Sequence, residues 1–247
     1  ALAIAGTHGK TTSASMLAAI LRRAGLQPDV LIGGGVEGRT QAELGRGEVL
    51  VVEADEFARS FLHLHPDIAL VTCVDAEHLD CYGSLEEVQR AFTQFLKRLP
   101  FYGCALVGGD GLVGEAVLAE VERSCLSYGL AAHCYYRIIE VELRPWGSQF
   151  GLSCDGDRLG EIELQVPGLH NVRNATGAAA VALRLQDGFA DMRAALGAGK
   201  GVDRRVERKG DVGDICIVDD YAHHPAELAA TLATARGHGR RVVAVFQ

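Results

Sequence analysis

Apolar positions along the chain fall into two alternating rhythms. Short, nearly continuous runs, "ALAIA" (1–5), "DVLIG" (29–33), "EVLVVEAD" (48–55), "DIALVTCVD" (67–75) and "CALVGGDG" (104–111), predict buried strands. Between them lie stretches with helical spacing. "TTSASMLAAILRRAG" repeats at Met16, Leu17, Ile20 and Leu21 and meets a stop signal at Gly25. "LEEVQRAFTQFLKRL" sets Leu85, Val88, Phe92, Phe95, Leu96 and Leu99 on one face. "LVGEAVLAEVE" predicts a further helix before "RSCLSYG" ends the run. Strands alternating with helices predict an α/β fold with a mostly parallel sheet flanked by helices.

The rhythm changes between Tyr135 and Val166. "YYRIIEVEL", "SQFGLSC" and "EIELQV", broken by Gly, Pro and Asp, predict a small antiparallel β addition. Helical spacing returns in "NVRNATGAAAVALRLQ", whose alanines permit close packing, and in "FADMRAALGA". A strand-helix-strand unit then follows: "ICIVDDYA", "PAELAATLATARG" and "RRVVAVFQ". The glycine- and charge-rich "GKGVDRR" (199–205) reads as a linker, so we expect a domain over 1–203 and the truncated start of a Rossmann-like domain over 204–247. The chain opens and closes inside apolar runs and lacks an initiator methionine, which reads as a fragment of something longer.

Composition narrows the function. At 247 residues and 48% hydrophobic content the chain is long enough for a large core. A formal net charge of −8 argues against nucleic acid or an anionic membrane as partner, so a phosphate ligand needs a focused site. Seven scattered cysteines without a C-x-x-C pair suggest reduced thiols in a cytoplasm. No apolar run is long enough to span a bilayer, and "ALAIAG" lacks the charged start of a signal peptide.

Candidate chemistry gathers where strands end. "GTHGKTT", Gly6 to Thr12, lies between a strand and a helix; such a turn aims backbone N–H groups and the helix dipole at an anion. The spacing is G-x-x-G-K-T, shorter than the common phosphate loop, because Ile4 stands where its first glycine belongs. Lys10 is the candidate phosphate cation and Thr11 a candidate Mg²⁺ ligand. "VVEADE" puts Glu53, Asp55 and Glu56 at the next strand end, and "DAEHLD" puts Asp75, Glu77, His78 and Asp80 at another. Oxygen preference alone favours Asp75 or Glu77 for Mg²⁺. His170, Asn171 and Asn174 open a helix as readers of a base, or Asn171 acts only as its cap. "DDYAHHPAE" collects Asp219, Asp220, Tyr221, His223 and His224 ahead of a helix begun by Pro225. His63 and His65 in "FLHLHPD" resemble a two-histidine metal pair but lack a third ligand at useful spacing, so no metal role is assigned to them.

In this order, "GTHGKTT", "VVEADE", "FLHLHPDIALVT", "DAEHLDCYG", "PGLHNVRNA", "GVDRR" and "DDYAHHPAE" resemble the Mur ligase family. The resemblance runs over essentially the whole chain, and "FLHLHPD" with "DDYAHHP" sets it apart from other peptidoglycan ligases and from folylpolyglutamate synthase. It implies a three-domain enzyme represented here by its central ATP-binding domain and the beginning of its C-terminal domain, without the UDP-binding N-terminal domain. The implied reaction joins L-alanine to the carboxylate of UDP-N-acetylmuramate with ATP and Mg²⁺, through an acyl phosphate. Another muropeptide ligase, or a nucleotide-binding fragment inactive alone, is the alternative.

Carried over by position, the resemblance assigns ATP to Gly6, Thr7, His8, Gly9, Lys10, Thr11, Thr12, His170, Asn171, Asn174, Arg205, Asp220 and Tyr221. It assigns the metal to Thr11, Glu53 and His78, with His78 replacing Asp75 or Glu77, and gives catalytic roles to Lys10, Glu53 and His78. Tyr221 and His223 are expected at the amino-acid substrate. The chain departs from many relatives at Glu56, Phe57 and Ala58, where "ESD" is common, so a polar contact is expected to be missing from that loop. Lys97 is the only lysine of its helix, at a spacing that does not match the carbamylated lysine of several relatives.

Overall fold

The computed structural model describes residues 1–33, 41–110, 116–117, 119–121, 124–185, 188–199, 201–202 and 205–246. Ten strands form one sheet: β1 (Leu2–Ala5), β2 (Asp29–Leu31), β3 (Ala42–Glu43), β4 (Leu50–Glu53), β5 (Ile68–Val71), β6 (Cys104–Gly108), β7 (Ser124–Gly129), β8 (Tyr136–Arg144), β9 (Gly147–Cys154) and β10 (Asp157–Leu164). Their order is β10-β9-β8-β7-β6-β5-β1-β4-β2-β3. The strands from β2 through β8 pair in parallel, and β3, β9 and β10 are antiparallel. The expected β addition is therefore not separate. It extends the main sheet, because Tyr128 and Gly129 of β7 pair in parallel with Tyr136 and Arg137 of β8.

Alternate residues of one strand feed opposite faces of the sheet. Leu2 and Ile4 of β1 join the core under helices α1 (Lys10–Arg23), α4 (Leu169–Arg184) and α5 (Phe189–Ala198). Ala3 and Ala5 join the core under α3 (Leu85–Leu96), where Phe61 stacks on Phe95 at 4.9 Å. Helix α3 starts as its sequence dictates: the Ser84 hydroxyl accepts the Glu87 N–H, and Glu86 and Glu87 complement the dipole of the first turn. Of the apolar face assigned to it, Leu85 alone is only half-buried. Helix α4 is buried along most of its length by Asn171 to Ala182. Its Gly177 lets the helix approach the sheet: a Cβ there would stand 2.9 Å from the Tyr128 hydroxyl and 3.1 Å from Leu70.

The C-terminal segment differs from expectation. β12 (Ile215–Asp219) pairs antiparallel with β11 (Glu207–Val212), a strand whose polar "ERKGDV" carries no apolar signal, and α6 (Pro225–Arg236) follows. "RRVVAVFQ" forms no strand over its described residues: 240–246 pair with no strand among the described residues, and Val245 is 94% exposed. An apolar run becomes a strand only beside a partner that takes its N–H and C=O groups. Most of the helix expected over 112–122, and positions 200, 203 and 204 of the expected linker, lie outside the described residues. No described helix is long and apolar enough to cross a membrane.

Candidate active site

β1 lies inside the parallel set with β4 on one side and β5 on the other, so three loops leave the carboxyl edge side by side. Ligands bind in open α/β sheets at such a switch in strand order. The glycine-rich loop occupies the center, and its glycines are required by the space as well as by the backbone. Gly6 has φ +132° and a Cβ there would meet Thr72 Oγ1 at 2.0 Å; Gly9 has φ +82° and would meet Asn174 Oδ1 at 2.3 Å. The loop is pinned to the exit of β5. Thr7 N–H donates to Cys73 O at 3.0 Å, Asp75 N–H donates to Thr7 Oγ1 at 2.9 Å, and the Thr72 hydroxyl donates to His8 O at 2.5 Å. The Thr7 side chain thus serves the loop itself.

Lys10 and Thr11, at the start of α1, face the two carboxylates leaving β4. Lys10 Nζ donates to both oxygens of Glu56, at 2.7 and 3.0 Å, and to Gly6 O at 2.8 Å. Glu56 is 2% exposed, and burial pushes its carboxyl upward against the lowering pull of Lys10. Tyr82 Oη donates to its backbone carbonyl at 2.5 Å. Thr11 Oγ1 lies 3.0 Å from both Glu53 oxygens, and Gly33 N–H donates to Glu53 at 2.6 Å. Thr11 and Glu53 together offer the oxygen donors that a hard cation such as Mg²⁺ takes.

His78 stands apart from that pair. As the N-cap of the short helix α2 (Leu79–Tyr82) it has φ +53°, and its Nε2 lies 3.7 Å from Glu56 Oε1. Ligand atoms of Glu56, Glu77 and His78 all lie within 4.8 Å of one another; Glu53 belongs to no such group among the described residues. The three residues expected to share a metal are therefore divided between a Thr11–Glu53 pair and a Glu56–Glu77–His78 group, with Lys10 bound to the carboxylate of the latter. The expected loss of a polar contact at 56–58 concerns only Phe57 and Ala58, since Glu56 keeps a buried carboxylate in the site. Asp55 accepts the Phe57 N–H at 3.1 Å in a local turn, and His63, His65 and Lys97 are exposed.

The helix α4 start supplies a different surface. Gly168, not Asn171, is its N-cap; Asn171 Nδ2 donates back to Pro167 O at 2.8 Å and is buried. Its capping alternative fails because the glycine at φ +96° already turns the chain into the helix. Asn174 packs on Gly9, tying α4 to the phosphate loop. Burial depresses the His170 imidazole, leaving a neutral ring suited to stacking.

The C-terminal segment reaches the same edge through polar groups. Asp220 accepts the N–H of Val206 and of Ala222, each at 2.7 Å, bracing the hairpin end. Arg205 donates to Glu227 Oε1 at 3.2 Å and lies 5.8 Å from the Tyr221 ring center. His223 Nδ1 is 3.1 Å from Tyr221 O, and its Nε2 is 4.0 Å from Glu77. His8 Nδ1 lies 3.5 Å from Glu227 and 3.7 Å from Glu77, while His8 Nε2 lies 3.7 Å from Asp75. Burial would lower the His8 imidazole, but the three carboxylates outweigh it and raise the group. Burial likewise works against the Glu227 carboxylate, yet His8 and Arg205 bring it down to about 2.

Glu227 carries no assignment from the sequence, and Glu56 stands there only among three carboxylates of which one could hold Mg²⁺. A signal existed for the first: Glu227 stands three residues after the His224 N-cap, the spacing of a capping box, and accepts the His223 N–H at 3.4 Å. Nothing local marks Glu56, whose role depends on Lys10 being 46 residues away in the chain.

Known proteins resemble this chain throughout. Residues 4–182 match the Mur ligase middle domain and residues 204–247 the Mur ligase, glutamate ligase domain. The chain is 44% identical over 247 residues to the UDP-N-acetylmuramate–L-alanine ligase of Salinibacter ruber and 46% identical over 250 residues to that of Pelobacter propionicus, covering 52% and 54% of those proteins. It thus spans about half the length of the curated relatives it matches. Among solved structures, the UDP-N-acetylmuramate-alanine ligase of Thermotoga maritima superposes with TM-score 0.82 at 28% identity, over 95% of this chain and 53% of that one. A murein peptide ligase of Psychrobacter arcticus gives 0.73 at 30%, over 96% and 54%. With its middle-domain match covering most of the chain, this protein belongs to the Mur ligase family.

Proposed function

We propose that this chain is the nucleotide-handling part of a ligase that joins L-alanine to the carboxylate of UDP-N-acetylmuramate at the expense of ATP. The observation that carries the reading is the convergence of Lys10, Thr11, Glu53 and Glu56 on one glycine-rich loop at the center of the sheet. Identities of 43–46% to ligases of that name support the choice of substrates. Residues 1–203 form the ATP-binding domain and residues 204–247 open the closing domain. All seven cysteines are free, in keeping with a reducing cytoplasm.

A carboxylate does not accept an amine directly, so the muramate carboxylate first attacks the γ-phosphorus of ATP, giving an acyl phosphate and ADP. The alanine amine then attacks the acyl carbon, and inorganic phosphate leaves. Lys10 exchanges Glu56 for phosphate oxygens, and the amides of Gly6 to Thr12 hold the remaining phosphate charge. Thr11 and Glu53 would hold Mg²⁺, which would neutralize charge between the phosphates, and His78, grouped with Glu56 and Glu77, would have to move toward that pair to join them as a donor. His170 and Asn174 flank the base, Arg205, Asp220 and Tyr221 meet the nucleotide from the closing side, and Tyr221 and His223 face the incoming amino acid.

Phosphate release that requires both UDP-N-acetylmuramate and L-alanine, and that falls 100- to 1000-fold in Lys10→Ala, is the expected result. Turnover with a preformed peptide but not with L-alanine would favor a murein peptide ligase. A second reading is a nucleotide-binding module, which the convergence of Lys10, Thr11, Glu53 and Glu56 on the glycine-rich loop would serve by itself. ATP binding by this chain without phosphate release would support it.

A further inference from the structure

A second group of possible metal donors lies beside the phosphate loop and is not used by the reaction above. His8, Asp75 and His224 each offer one ligand atom, all within 4.8 Å of one another. They come from three places: the glycine-rich loop, the tip of β5 and the N-cap of α6. His8 Nε2 is shut off from solvent, has no hydrogen-bond partner among the described residues and lies 3.7 Å from Asp75 Oδ2. Its other nitrogen, Nδ1, lies against Glu227 and Glu77 at 3.5 and 3.7 Å. An imidazole held by a carboxylate on one nitrogen and open on the other is how metal-binding histidines are oriented. The His224 ring stands 4.7 Å from that of His8, and its Nδ1 accepts only a long cap contact, from Ala226 N–H at 3.4 Å.

We propose that His8, Asp75 and His224 form a binding site for a borderline divalent ion, Zn²⁺ by preference, that staples the C-terminal segment onto the phosphate loop. Two imidazoles and a carboxylate are a zinc donor set with a fourth position left for water, whereas Mg²⁺ prefers all-oxygen sites such as Thr11 with Glu53. Donors around zinc sit at about 2.0–2.2 Å from the ion, so the present spread has to close by about 1 Å. Three carboxylates, Asp75, Glu77 and Glu227, surround the site, with the Arg205 guanidinium on Glu227 opposing them, which favors a dication. The site stands on this geometry whether or not the nucleotide reading holds.

The test is calorimetric titration of the 247-residue chain with Zn²⁺ in millimolar Mg²⁺, with Co²⁺ as a spectroscopic probe. One Zn²⁺ per chain is expected, weakened at least tenfold in His8→Ala and in His224→Asn, the latter keeping a side chain that caps helices. His63→Ala should leave it unchanged. Amide exchange over residues 215–236 should slow when Zn²⁺ is added to the wild type and not in His224→Asn. Undiminished affinity in both site variants, loss in His63→Ala, or a thiolate-to-cobalt charge-transfer band would overturn the proposal. ATP affinity read in the same samples separates the two ideas: ATP binding without Zn²⁺ defeats this site alone, and Zn²⁺ binding without ATP defeats the nucleotide reading alone.

Discussion

The sheet domain and the C-terminal segment are held in place by different physics. In the first, α1 and α4 bury residues along their length against a sheet whose two faces each carry a continuous apolar core. In the second, α6 buries none of its residues although "PAELAATLATAR" is mostly apolar, and Val212, Ile215, Val243 and Phe246 are exposed. What joins the second to the first is polar and aromatic: Glu227 with His8, His223 beside Glu77, and Trp146 of the β8–β9 hairpin tip packed on His238 at 4.3 Å and facing Arg208. Burial makes a rigid platform; a few charged contacts make a junction that can be opened. On the proposed reading, with ATP entering at this junction, both properties serve the site.

The contrast can be tested at graded cost. Phe92→Ala, in the core under α3, should lose about 3–5 kcal/mol in a denaturant melt, as aromatic truncations in packed cores do. Lys10→Ala should remove about 3–4 kcal/mol of transition-state stabilization, read as phosphate release, and should also lower the melt, because it leaves the buried Glu56 carboxylate without its cation. Glu227→Gln should loosen only the junction, by about 1.5–3 kcal/mol, the worth of hydrogen bonds to charged groups, measured as faster amide exchange over 215–236. Because the Glu227 carboxyl is lowered from 4.5 to about 2, its contribution is complete above pH 4.5 and fades as pH falls toward 2. An acid titration of the wild type should show the C-terminal segment opening in that window, and Glu227→Gln should lack the step. Val245→Ser, at an exposed position, should change stability by no more than about 0.5 kcal/mol. A large loss there would mean the tail is packed after all, and the comparison would fail.

Local pattern was enough for much of this. The helix of "LEEVQRAFTQFLKRL" announces itself by spacing, cap and charge, and β1, β4 and β5 by runs that suit strands buried on both faces. Strand β11 was not legible, since "ERKGDV" has neither alternation nor bulk and is ordered only by pairing with β12. "RRVVAVFQ" shows the reverse case, with strong local propensity and no neighboring strand to realize it. In the site, Lys10 and Thr11 were readable because a glycine-rich turn fixes its own geometry. Of their carboxylate partners, Glu53 was set beside Thr11 by the family resemblance, but nothing assigned Glu56 to Lys10, because the two carboxylates differ by three positions and only the loop after β4 sorts one to the threonine and the other to the lysine.

By itself, then, the amino-acid order determined the α/β alternation, the glycine loop between β1 and α1, and the order of motifs that marks the family. These are properties of neighbors along the chain: spacing, caps, and backbone angles open only to glycine. Tertiary structure decided that the hairpins extend the main sheet, that His78 keeps company with Glu56 and Glu77, and that His8 meets Glu227. Those outcomes depend on which strand ends lie side by side and which charges share a cleft closed to water, and such distances exist only after the sheet has assembled.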